Sequence, residues 1–260
     1  MGQKHGVESS GQLSQGEIVS GTSPFDDLPE DCISNIISLT SPRDACVAAS
    51  VSKTFESAVK SDTVWKKFLP PDYYSSLVPQ LRDLSSKKDL YFALCDNPVL
   101  FDHGKKSFWL EKASGKRCIM LSPTQLAITY VYDPRFCQWI STPESRFFKV
   151  PELLIECSFD IRGGMHTHYL SPKTLYSAYI VFKTKNGCPG RLCVPVRVEV
   201  GLVGVIGQSS PRSFIYFVGP SGQRRDREVR DVTKPKERVD GWMEAKLGEV
   251  FNESSCDDIF

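Results

Sequence analysis

The apolar residues of this chain change their period once, and that change limits the fold it can adopt. Up to about residue 94 they recur at helical spacing. From about Ser107 they come as short runs cut by Gly and Pro, several of them alternating, which is the pattern of an all-β unit. Helices followed by strands imply a multidomain α+β chain with its elements segregated. The 260 residues suffice for one large domain or two small ones. The expected organisation is a disordered tail over 1–23, a helical unit over 24–70, a helical linker region over 71–106 and a β unit over 107–260. The joint carries Pro98, Gly104 and the pair Lys105-Lys106. The tail is rich in Gly, Ser and Gln and holds too little apolar surface to offset ordering entropy.

The helical unit opens with Leu28-Pro29-Glu30-Asp31. Pro29 suits a first helical position, and the two acids suit the positive helix end. Ile33, Ile36 and Ile37 follow as an apolar stripe. Ser41 can cap a second helix with Pro42 just inside it, and Ala45, Cys46, Ala48, Ala49 and Val51 give it a small-residue face. Phe55, Ala58 and Val59 come after a break, and Trp65 and Phe68 close the unit. About 45 residues cannot hide all these groups alone. The surplus apolar surface either packs on the β unit or is a docking face.

The β unit shows three clear alternations. Leu153, Ile155, Cys157, Phe159 and Ile161 share one side, with Glu156, Ser158 and Asp160 on the other. Leu192, Val194, Val196, Val198 and Val200 repeat the pattern, with Pro195 at an edge or bulge. Met243, Ala245 and Leu247 alternate with Trp242, Glu244 and Lys246. These strands are enough for two packed sheets. The stretch Arg224–Arg238 mixes signs and contains Pro235, as a solvated loop would.

Several function classes are excluded. A net charge of +1 gives no field for nucleic acid or an anionic membrane. No apolar run approaches the ~20 residues of a membrane helix. The start lacks a secretory core, and Gly6 stands where a myristoylation motif wants Ser or Thr. The sequon at Asn252 is expected to be inert without secretion. Nine scattered cysteines without a CxxC pair read as free thiols, not as zinc ligands. His166-Thr167-His168 follows Gly163-Gly164 and has no acidic or cysteine partner at useful spacing, so no metal is expected. Neither a phosphate-cradling glycine loop nor a nucleophile elbow is present. Glu237 and Glu244 could suggest paired glycosidase carboxylates, but nothing places them across a cleft. No catalytic residue and no cofactor is expected.

Residues 25–70, with Leu28-Pro29, the isoleucine stripe, the Ser-Pro-Arg-Asp-Ala-Cys turn at 41–46, Val51-Ser52-Lys53 and Trp65, resemble an F-box. The resemblance implies a small three-helix F-box that binds a Skp-type adaptor subunit and, through it, a cullin. It points to Leu28, Pro29, Ile33, Ile36, Val47, Val51 and Trp65 as contact or support positions. Which of them touch the partner and which form the box's own core stays open at this level. Such an interface buries on the order of 1,600 Å².

Further stretches resemble the phloem protein 2 family of plant Nictaba-like lectins, in its F-box-fused branch. They are Lys106–Leu110, Leu126–Tyr130, Asp133–Trp139, Leu170–Pro172 with Tyr176–Lys183, and Lys236–Arg238 with Asp240–Glu244. The resemblance implies an all-β jelly-roll-like sandwich. It also implies a carbohydrate site of two tryptophans and two glutamates. The tryptophan positions fall here at Tyr130 and Cys137, and the glutamates map to Glu237 and Glu244. Tyr130 can still stack on a sugar ring; Cys137 has no ring. Single-sugar contacts are weak, with Kd on the order of 1 mM, so reduced or altered glycan affinity is expected. Such proteins act in cytoplasm and nucleus. Two functions stand side by side: a ubiquitin-ligase adaptor that holds a glycoprotein, protein, N-glycan or chitin-type target, and a carbohydrate-binding stress or defence protein with a vestigial F-box.

Overall fold

The computed structural model describes residues 28–70, 85–154, 160–184, 195–203, 213–217 and 232–253. Four short helices come first: α1 (Glu30–Ser38), α2 (Pro42–Ala48), α3 (Lys53–Val59) and α4 (Asp62–Phe68). A fifth, α5 (Lys87–Asp96), precedes the strands. The closing helical stretch of the box is two helices because Ser61 interrupts it and caps α4 by accepting from the Thr63 amide. Ser41 caps α2 as its sequence predicts, accepting from the Asp44 amide at 3.1 Å. Pro29 stands one residue ahead of its expected place, as the cap of α1 with extended ψ, and its carbonyl receives the first helical bonds from Cys32 and Ile33.

The described strands form five small sheets. β1 (Val99–Phe101), β2 (Lys106–Leu110) and β3 (Arg117–Leu121) make an antiparallel meander. β8 (Thr174–Phe182) pairs with the long β13 (Met243–Asn252), which also holds β12 (Lys236–Glu237), and the β8–β13 register shifts at Lys246/Gly248. β9 (Val196–Val198), β10 (Ser213–Ile215) and β11 (Val232–Thr233) form a mixed sheet. β4 (Ala127–Ile128) pairs with β7 (Ile161–Arg162), and β5 (Cys137–Ile140) with β6 (Val150–Leu153). The segregation of helices and strands is that expected of an α+β chain.

Two of the three alternations carry through the described residues. Val196 and Val198 pack with Ile180, Phe182 and Leu247 around buried Ile215, Phe217 and Ala245. The alternation over 153–161 falls largely outside the described residues, because 155–159 and the positions 192–194 of the second run are not among them.

The principal core ignores the joint between helices and strands. Ile33, Ile37, Ala45, Ala58, Val59, Val64 and Trp65 form one cluster with Tyr91 and Leu94 of α5 and with Phe101, Phe108 and Leu110 of β1 and β2. Trp65 is fully buried. Its indole N–H donates to the Val59 carbonyl at 2.6 Å, and its ring packs at 5.2 Å from Tyr91 and 5.3 Å from Phe92. The Tyr91 hydroxyl donates to the Lys112 carbonyl at 3.0 Å, and burial pushes its pKa upward. The turn between β2 and β3 closes on α2 through the Arg43 amide and the Ala113 carbonyl at 3.2 Å. Gly115 adopts φ +69° in that turn, where a Cβ would stand 3.4 Å from both the Phe68 carbonyl and Pro42 Cγ. The helical unit thus borrows α5 and the first meander to complete its core, as a 45-residue unit must.

Candidate functional site: the outer helical face and the aromatic loop

The core sorts the seven candidate docking residues. Ile33 and Trp65 are 1% and 0% exposed, so they support the unit from inside and offer nothing to a partner. Leu28, Ile36, Val47 and Val51 are 37%, 49%, 58% and 71% exposed, and Pro29 is exposed beside Leu28. Helical periodicity explains the division on α1. Ile33 and Ile37 lie one turn apart and face in, with Ser34 donating to the Ala58 carbonyl at 3.1 Å. Cys32, Ile36 and Leu39 are also spaced by about one turn, on the opposite side. Leu39, which caps the helix and is not counted in the stripe of Ile33, Ile36 and Ile37, is 83% exposed. On α2 the small-residue face is narrower than its sequence suggests: Ala45 is buried, but Cys46 is exposed beside Val47. Behind them an open groove of about 580 Å³ runs between α2, Phe92 and the turn at Lys112 and Ala113.

The candidate carbohydrate residues are dispersed. Tyr130 is half exposed in the turn before β5, holds φ +59°, and stacks on Phe136 with centroids 4.7 Å apart. Arg135 lies over the same Phe136 ring and grips Asp133, which holds that carboxyl below the usual range. Cys137 is 3% exposed, so its thiol is a packing group of β5 and presents no surface to a sugar. Antiparallel register separates the two glutamates: Glu237 is opposite Met243, and Glu244 is opposite Lys236. Directly opposed residues share a face and successive residues alternate, so the two carboxylates project from opposite faces of the ribbon. Glu237 is exposed, and Glu244 pairs with Arg238 at 3.1 Å. Among the described residues no hydrogen bond, ion pair or ring contact joins Tyr130 to either glutamate. The two glutamates do not face each other as glycosidase carboxylates do.

His166 and His168 stack with centroids 5.5 Å apart beside Tyr169, and burial with the charges of His166, Arg117 and Lys106 lowers the pKa of His168. Among the described residues no third ligand completes a metal set around them.

Two family models match this chain: the F-box domain over residues 25–67, and phloem protein 2 over residues 116–260. It belongs to the F-box proteins of the phloem protein 2 family. F-box protein At2g02240 of Arabidopsis thaliana is 66% identical over 100% of this chain and 78% of its own length. F-box protein PP2-B10 of the same plant is 57% identical, over 93% of this chain and 86% of its own. F-box protein SKIP3 is 52% identical over 95% and 82% respectively. The F-box match covers α1 to α3 and all of α4 but its last residue, stopping at Lys67, while the core that supports them continues to Leu110.

Proposed function

We propose that this chain is the substrate-recognition adaptor of a Skp–cullin–F-box ubiquitin ligase, acting in cytoplasm and nucleus. Its F-box binds the Skp-type subunit through Leu28, Pro29, Ile36, Val47 and Val51, with Leu39 added. Its β unit binds a protein or glycoprotein target. Ubiquitin transfer is carried out by other subunits, so the chain needs no cofactor and no catalytic residue. The observation that carries this reading is the division of the isoleucine stripe. The chain covers the inner face of α1 with its own α3 and α4, which α5 and β2 back in turn, and leaves Leu28, Ile36 and Leu39 exposed on the outside. An uncovered apolar face of this kind is a mark of partner binding. Co-purification tests it: a Skp-type subunit is captured by the chain and lost on Leu28→Ala/Pro29→Ala. Absence of capture by the unaltered chain sinks the proposal.

A second reading, a carbohydrate-binding protein without a ligase role, rests on the half-exposed ring of Tyr130. One aromatic face contributes about 0.5–1.5 kcal/mol, well short of a useful site alone. The dispersed glutamates and the buried Cys137 favour the adaptor with a weak or altered glycan preference.

A further inference from the structure

Between the β5–β6 hairpin and strand β1 lies an open groove of about 570 Å³, walled by Leu100, Pro143, Phe147 and Phe148. Phe148 is 83% and Leu100 48% exposed, although both are large apolar residues. Arg146 lines the same groove. Its guanidinium lies over the Trp109 ring at 4.7 Å, and its Nη1 is buried without a hydrogen-bond acceptor. The carboxylates nearby are taken. Asp240 and Glu244 both pair with Arg238, and Glu144 accepts from Thr142 and faces Lys183 at 3.8 Å. Burial lowers the Arg146 pKa, the like charge of Arg238 lowers it further, and the attraction of Asp240 offsets this only in part. Arg146 is therefore a half-buried cation with no ion pair of its own among the described residues, since Asp240, which attracts it, is held by Arg238.

The groove also says what kind of ligand fits. Two of its three hydroxyl protons are already engaged: Ser141 donates to the Phe148 carbonyl and Thr142 to Glu144, and the Ser145 hydroxyl, which accepts from the Phe147 amide, is the one donor left. That leaves little to meet the many hydroxyls of a neutral sugar. An apolar wall with one unpaired cation instead suits a carboxylate flanked by apolar groups. Strand β1 ends its sheet, so one row of its backbone groups has no partner strand among the described residues. An extended chain can pair there.

We propose that this groove binds an extended peptide segment of the target, one that sets an Asp or Glu side chain against Arg146 and apolar side chains against Leu100 and Phe148. The inference rests on the adaptor reading for its biology, but its test is separate. Full-length chain is titrated into a labelled octapeptide alternating Leu or Phe with Glu, and into the same peptide with Gln for Glu. The acidic peptide binds roughly tenfold tighter. Arg146→Gln abolishes that difference, Arg146→Lys keeps part of it, and Phe148→Ser weakens both peptides. Phe148 is exposed, so Phe148→Ser retains its thermal midpoint and its capture of the Skp-type subunit. Retained capture with no peptide binding overturns the groove and spares the adaptor; lost capture by the unaltered chain does the reverse. Equal binding of the two peptides, or binding indifferent to Phe148→Ser, overturns the proposal. Preference for a phosphopeptide or an acidic oligosaccharide through the same residues overturns the stated occupant.

Discussion

Ile33→Ala and Ile36→Ala make the same chemical change three residues apart on one helix, and they should have different consequences. Each removes three carbons, which are worth about 0.8 kcal/mol apiece when buried. Ile33 is 1% exposed inside the cluster with Trp65 and Tyr91, so its loss opens a cavity and costs about 2–5 kcal/mol of stability. Ile36 is 49% exposed, so only half of its ~2.4 kcal/mol is spent in the free chain, about 1.2 kcal/mol. The other half is gained only when a partner covers it, so docking weakens by ~1.2 kcal/mol, or about eightfold. Urea unfolding of the two variants, and titration of each with purified Skp-type subunit at a temperature where both are folded, separates the effects. Ile33→Ala is expected to shift the urea midpoint strongly with docking affinity kept; Ile36→Ala is expected to shift it less and to weaken docking about eightfold. Equal midpoint shifts, or unchanged affinity in Ile36→Ala, would refute the assignment of faces.

Other consequences follow from single sites. Gly115→Ala and Gly104→Ala should lower the thermal midpoint by similar amounts. Both sit at positive φ, which costs a β-carbon about 1–2 kcal/mol, and at Gly115 the added Cβ meets the Phe68 carbonyl and Pro42 only at ordinary contact distance. Acidification should weaken folding in two windows. His168 has its pKa held below 6.5, so from about that pH downward the unfolded chain takes up the proton first and stability falls. Asp240 is held below 3.8 by its bond to Arg238, so the stability it contributes is present above that pH and lost beneath it. Denaturation followed against pH checks both windows, and His168→Gln should flatten the upper one. Tyr130→Ala should abolish whatever glycan-array signal the chain gives, while Cys137→Ser should change it only through stability, because Cys137 is buried.

The order of helices and strands was legible because a period of 3.6 and a period of 2 leave different marks, as Ile33/Ile37 and Val196/Val198 show. The cap at Ser41 was legible because capping is local. The division of the apolar residues of α1 was not. Its apolar residues spread beyond one side, with Ile33 and Ile37 on one and Ile36 and Leu39 on the other, so composition along the helix cannot say which of them its own chain will cover. That choice is made by Ala58, Val59, Val64 and Trp65 of α3 and α4, up to 32 residues farther along from Ile33. Glu237 and Glu244 read as a pair in the sequence, and only the register of the β12–β13 ribbon sends them to opposite faces. The Arg146 groove left no sequence mark, since it joins a hairpin loop to a strand some 40 residues earlier in the chain.

Two thiols lie on the surface that matters most. Cys32 shares the outer side of α1 with Ile36, and Cys46 adjoins Val47; both are exposed. Cys118, half-buried on β3 with its pKa pushed up to about 11, serves as an internal reference. Maleimide labelling of the full chain, read peptide by peptide by mass spectrometry with and without saturating Skp-type subunit, should show Cys32 and Cys46 protected and Cys118 unchanged. Unaltered labelling of both under saturation would mean that the subunit docks elsewhere or not at all.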